Sequence, residues 1–245
     1  MRWCITTCLL AFIIARPTRA ENPSENDPVV STFSIVAYDP ASESWGIGVA
    51  SKFLGVGSVV PWAKADVGAI ATQSYANTTY GPHGLELLNQ GKSAEDVIKT
   101  LTEADDLRER RQVGIVDSEG NPATYTGKDC HPWAGGKTGK HYTCQGNILA
   151  GPEVVDDMAQ AYETTKGPLA WRIMAALEAA DAAGGDVRGR QSAAIYVVKK
   201  GAGYGGYNDR MIDFRVDDHE TPIPELARIL ALRIKRPVHL EEVNQ

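Results

Sequence analysis

The stretch Ser31–Lys52, STFSIVAYDPASESWGIGVASK, constrains the fold more than any other part of the chain. From Thr32 to Tyr38, the residues Phe33, Ile35 and Ala37 alternate with Ser34, Val36 and Tyr38, the period of two that marks a strand. Asp39-Pro40 breaks it, and Trp45–Lys52 resumes with Gly46, Gly48 and Ala50 on one face and Ile47 and Val49 on the other. Glycine weakens a strand and is kept where another backbone or a ligand comes close. One face of this predicted hairpin is therefore cleared for something, and a threonine opens the strand beside it.

The rest of the chain supplies layers around the hairpin. Val67–Gln73 reads as a strand of small residues. Two short helices follow, one carrying Leu85, Leu87 and Leu88 and ending at Gly91, the next starting at Ser93 with Asp96 placed to cap it. Gln112–Val116 and Ala123–Thr126 form a hairpin, and His141–Leu149 is a further strand. Val154, Val155, Met158 and Tyr162 fall at helical spacing in Pro152–Thr165, as do Ile173, Met174 and Leu177 in Leu169–Ala182. Ser192–Val198 and Met211–Val216 are strands joined by GAGYGGYND, and a helix from Pro224 to Ile234 closes the fold. Helix pairs separated by groups of strands do not match the one-to-one alternation of a doubly wound sheet. They match an α+β fold, a four-layer αββα sandwich of two mainly antiparallel sheets, as one domain over residues 31–236 with a polar tail at 237–245.

Ahead of that domain, Arg2, the apolar run Trp3–Ala15 and Thr18-Arg19-Ala20 have the three-part form of a secretory signal over residues 1–20. Residues 21–30 form a polar leader without periodicity. The expectation is a periplasmic or secreted protein with no membrane span in its mature form. The signal holds Arg2, Arg16 and Arg19 and no acid, so its removal leaves a chain of 25 basic and 31 acidic residues more acidic still. The basic residues are scattered apart from Arg108–Arg111, which reads as a solvated helix end, so nucleic acid is not the expected partner. Cys130 and Cys144 remain after the signal, and in an exported chain a pair so close is expected to close a surface loop as a disulfide. His131 and His141 stand near them without zinc-ligand spacing. Asp217 and His219 point the same way on an extended chain and form a candidate carboxylate–imidazole metal pair, or else belong to the cap before the last helix. No third ligand is evident, and no cofactor is expected.

The layer order with a threonine-led strand in front resembles the N-terminal-nucleophile (Ntn) hydrolase fold, the group that includes proteasome β subunits. A closer resemblance is to DUF1028, a bacterial family grouped with that superfamily. It is carried by TFSIVAYDP, GVASKFLGVGSVVPW, GAIATQS, RQVGIVD, QGNILAG, AGGDVRGRQSAA and DFRVDDH, in order over nearly all of the mature chain. The superfamily resemblance implies a nucleophile whose own α-amine is the general base, and it puts that role on Thr32. Lys64, or else Lys52, would supply a positive charge beside it. Gln145-Gly146-Asn147 would form a strand-to-helix junction whose amides hold an oxyanion, and Asp186 and Ser192 would support the nucleophile. Each residue also has a structural reading: Thr32 as a strand residue behind the leader, Lys64 as a surface lysine, Asn147 as a turn residue, and Asp186 as an ion-pair partner of Arg188 or Arg190.

The function implied is an amidohydrolase acting on a small amide or peptide bond of a small-molecule or peptide substrate, with a homo-oligomer compatible with the sequence. A second reading is a catalytically silent ligand-binding or assembly module that uses the Gly-lined face. A third is a metal-dependent hydrolase built on Asp217 and His219. The first requires Thr32 to be the mature N-terminus, since an α-amine locked in a peptide bond is no base.

Overall fold

A computed structural model describes Val30 and residues 32–237. The expected export signal, the leader up to residue 29 and the end of the polar tail lie outside the described residues.

The alternating hairpin forms as expected: β1 (Thr32–Asp39) pairs antiparallel with β2 (Ser44–Ser51), Thr32 opposite Ser51 and Asp39 opposite Ser44. A second antiparallel pair, β3 (Pro61–Lys64) and β4 (Gly68–Ser74), leads into α1 (Tyr80–Asn89) and α2 (Ala94–Glu103). Helix α2 starts where the Ser93 hydroxyl accepts the Asp96 N–H at 3.2 Å and donates to the Asp96 carboxylate at 2.8 Å. It buries Val97, Ile98 and Leu101. Next come β5 (Arg111–Asp117) and β6 (Pro122–Thr126), whose turn is held by the Asp117 carboxylate accepting the N–H groups of Glu119 and Asn121. The remaining elements are β7 (Gly135–Gly139), β8 (Tyr142–Asn147), α3 (Glu153–Thr164), α4 (Leu169–Ala182), β9 (Ser192–Val198), β10 (Arg210–Val216) and α5 (Pro222–Arg233).

The strands make two antiparallel sheets, one of six in the order β10-β9-β2-β1-β8-β7 and one of four in the order β3-β4-β5-β6. Three cores separate the layers. Ile70, Val113 and Ile115 of the four-stranded sheet pack with Val97 and Leu101 of α2. Val36, Ile47 and Val49 meet Ala69, Ala71 and Val116 between the sheets. Phe33, Ile35 and Ile195 pack under α3, α4 and α5, where Trp171, Ile173, Leu177 and Leu226 are fully buried.

Three expectations change. The cleared face of the hairpin is filled by α4: a Cβ on Gly48 would lie 2.4 Å from Cγ2 of Ile173, and one on Gly46 would lie 2.6 Å from its Cδ1. The glycines admit a helix rather than a ligand. Cys130 and Cys144 form no disulfide, and both are buried free thiols. Cys144 faces the helical core from β8, whereas Cys130 precedes β7 and donates its S–H to the Arg111 carbonyl at 3.3 Å. The stretch between them is not an open loop, because Gly135–Gly139 adds β7 to the edge of the six-stranded sheet.

Candidate functional site

The register of the six-stranded sheet sets four polar residues in one row at the end where β1 begins: Asn147 on β8, Thr32 on β1, Ser51 on β2 and Ser192 on β9. Directly opposite residues in antiparallel strands share a face, and all four are buried. The Thr32 hydroxyl donates to the Val30 carbonyl at 2.8 Å and lies 3.4 Å from the Ser51 hydroxyl. Ser192 donates to the Phe53 carbonyl and accepts the Val56 N–H at 3.1 Å, which pins the turn after β2. Thr32, Asn147 and Ser192 are thus brought together from distant parts of the sequence. Ser51 joins them, a member that sequence reasoning missed.

Two residues further in, the same face carries Ser34 opposite Gln145, and the four-stranded sheet presents Gln73 and Gln112 to them. These side chains form a continuous chain of hydrogen bonds between the sheets. Gln145 Nε2 donates to Ser34 Oγ at 2.7 Å, and Ser34 Oγ donates to Gln73 Oε1 at 2.7 Å. Gln73 Nε2 donates to Gln112 Oε1 at 2.8 Å, and Asn147 Nδ2 reaches the same oxygen at 2.9 Å. Gln112 Nε2 then donates to the Gly146 carbonyl at 2.8 Å. An unmatched buried amide costs about 1–3 kcal/mol, so this layer is tolerable only because its members satisfy one another. Gly114 makes the room, since a Cβ there would sit 2.2 Å from Gln145 Oε1. Gln73 and Gln112 were missed from the sequence and Gln145 was read only as part of the expected junction, although a glutamine at a position whose strand period calls for an apolar residue is a readable signal.

The row is closed from outside. Val30, 4% exposed, pairs with Ser74 at the end of β4, N–H to carbonyl in both directions at 2.8 and 3.0 Å. Val30 therefore joins the end of the four-stranded sheet while its carbonyl also accepts the Thr32 hydroxyl.

Asp186 stands beside the row. Its carboxylate accepts the Lys52 backbone N–H at 3.0 Å, the Arg188 backbone N–H at 2.9 Å and Arg188 Nη2 at 2.9 Å. The Lys52 ammonium donates to the Arg190 carbonyl at 3.3 Å. Lys64 is not brought to Thr32: it ends β3 at the edge of the other sheet, and its ammonium donates to Asn89 Oδ1 on α1 at 2.9 Å. Gly146 and Asn147 do not form a strand-to-helix junction. Both lie within β8, Gly146 between Phe33 on β1 and Gly135 on β7, and the next helix starts only at Glu153. Asn147 keeps its place in the row by its side chain. Asp217 and His219 belong to turns: the Asp217 carbonyl accepts the Gly55 N–H, and His219 Nδ1 accepts the Thr221 N–H at 2.9 Å just before α5. Among the described residues no three His, Cys, Asp or Glu side chains group as metal ligands, and no helix is long and apolar enough to cross a membrane.

A larger groove of about 820 Å³ opens between α1 and α2 around Asp105 and Arg111. The end of the basic run is not solvated, since Arg111 is buried and its Nε donates to Asp105 at 2.8 Å. Asp105 also accepts from Tyr80 and Asn77, so the polar centre of the groove is satisfied internally and reads as structure.

The fold has known counterparts. It matches the crystal structure of protein SPO2555 from Silicibacter pomeroyi, which carries the same DUF1028 family assignment, with a TM-score of 0.75 and 29% identity over 88% of this chain and 94% of that one. No curated protein sequence matches the chain. Residues 32–226 match the model of a family described as of unknown function, DUF1028, and on that span the chain belongs to the DUF1028 family.

Proposed function

We propose that the chain is an exported amidohydrolase of the Ntn type, with a four-layer αββα fold of that superfamily and Thr32 as its nucleophile. The observation that carries this is the row Asn147–Thr32–Ser51–Ser192, a buried line of hydroxyls and an amide at the start of β1, sealed by the residue pair Val30 and Ser74. The family match opens on Thr32, which agrees with a functional chain starting there. Cutting the peptide bond before Thr32 frees its α-amine and removes the Val30 carbonyl that holds the hydroxyl. The amine then takes the hydroxyl proton as Oγ1 attacks an amide carbon, and returns it to the leaving amine as the C–N bond breaks. Water hydrolyses the resulting ester by the same route. Asn147 is the dipole next to Thr32 for the charge that develops on the carbonyl oxygen. Asp186, with Lys52 and Arg188, fixes the end of β2 beside the row.

Intact mass and N-terminal sequencing of the protein purified from its exported location test this. The expected result is a chain that starts at Thr32, hydrolyses simple amides or peptides, and loses turnover on Thr32→Ala with its fold intact. A mature chain that retains Val30 would overturn it. That outcome favours a silent binding or assembly module, in which the Thr32 hydroxyl stays bonded to the Val30 carbonyl.

A further inference from the structure

Beside Ser51 the surface opens into a cavity of about 180 Å³. Phe33, Ala50 and Ile223, at the start of α5, are among the residues that line it. A site that encloses a whole ligand usually has roughly 300–1,000 Å³, so this cavity is sized for one side chain. Its lining mixes apolar side chains with acids and Arg190. Phe33, Ala50 and Ile223 are 2%, 3% and 2% exposed, yet they leave a space between them. The acids on its wall are engaged: Asp186 by Arg188 and Lys52, and Asp181 by Arg190 Nε at 2.6 Å. At the rim Val187 is 61% exposed, an apolar side chain that an aliphatic group seated in the cavity would cover.

Arg190 borders this cavity and also a polar groove of about 400 Å³ lined with Lys52, Gln191 and His219. Among the described residues its side chain bonds Asp181 through Nε, which leaves the two terminal guanidinium nitrogens at the boundary for an acceptor on a ligand.

We propose that the cavity is the specificity pocket for a small branched aliphatic acyl group, and that Arg190 receives a carboxylate on the same ligand. The substrate class is then short N-acyl amino acids or dipeptides with a small aliphatic residue on the acyl side. Its role as a substrate pocket rests on Thr32 as the nucleophile; the two are linked through Ser51, which borders the cavity and pairs with Thr32 across β1 and β2. Binding in the cavity can be measured apart from catalysis.

The experiment titrates the protein as isolated with N-isobutyrylglycine, N-acetylglycine and isobutyramide, read by ligand-observed NMR. The two additional carbons of isobutyryl should make it bind about tenfold tighter than acetyl. Val187→Asp should remove that difference. Arg190→Gln should weaken N-isobutyrylglycine about tenfold and leave isobutyramide unchanged. Both side chains reach solvent, so neither change threatens the fold. Equal binding of the two acyl groups, no binding of either, or full binding to both variants would overturn the proposal. If the discrimination is found but a chain starting at Thr32 hydrolyses none of these amides, the nucleophile reading fails and the pocket stands. If that chain hydrolyses amides without preferring isobutyryl, the pocket fails and the nucleophile stands.

Discussion

Thr32 places its hydroxyl on the carbonyl of Val30 and its strand partners on both sides, so a single residue belongs at once to the ladder and to the proposed chemistry. Its neighbours tell the two roles apart. Gln73 supports the row from the facing sheet, and Gln73→Leu would take away the acceptor of the Ser34 hydroxyl, while Gln112 Oε1 keeps Asn147 as donor. With each orphaned buried group costing about 1–3 kcal/mol, urea unfolding of that variant should show a midpoint clearly below that of the parent. The cysteines make a separate prediction. Burial pushes the thiols of Cys130 and Cys144 up, so both stay protonated at neutral pH. A thiol-reactive dye should label neither in the native protein and both after denaturation without reductant. A disulfide would leave both unlabelled in either case. From sequence the pair looked bonded because spacing was the only guide, and spacing does not say that β8 turns Cys144 toward the helices.

At the scale of elements, most of the strands and helices were legible because period and caps decide them locally: the alternation of β1, the Ser93 cap of α2, and the apolar faces of α3 and α4. β7 was not, because Gly135-Gly136-Lys137-Thr138-Gly139 has almost no strand propensity and is extended by pairing with β8. The Gly-lined face of β2 was seen correctly as cleared, but sequence could not name the occupant, which depends on how α4 crosses the sheet. Gly48→Ala tests that occupant. Its methyl would be driven into Ile173 and Leu177, and overpacking of this kind costs about 1–3 kcal/mol. A lower melting temperature with the same far-UV spectrum is expected. An unchanged melting temperature would mean that the face has slack.

For the molecule as a whole, the site was only half readable. Thr32, Asn147 and Ser192 were singled out one by one, but that they form one row follows from the register of four strands, a long-range fact. Lys64 went to the other sheet for the same reason. Global stability also has a buried ionic anchor, Asp105 with Arg111. Burial alone would raise the Asp105 carboxyl, but hydrogen bonds from Arg111, Asn77 and the Leu107 N–H outweigh it and hold the carboxyl below its ordinary value. A folded-state pKa below the unfolded one gives stability that is present above the ordinary carboxylate range and is lost as pH falls through the folded value. Asp105→Asn should therefore lower stability at pH 7 and flatten its acid dependence, measured as urea midpoints from pH 7 down to pH 3.

The layer of serine, threonine and amide side chains between the sheets holds dipoles and no ionisable charge. Its electrical state is therefore the same in acid and in base, and on the proposed mechanism proton dependence in the neutral range is brought in by the amine of Thr32 that proteolysis would create. Activity should then rise with pH along a single ionisation curve set by an α-amine, whose ordinary value is about 7.7–8.0. On that mechanism the interior would act as an insulator around one switchable group, and a second ionisation within the neutral range would mean that current enters from elsewhere.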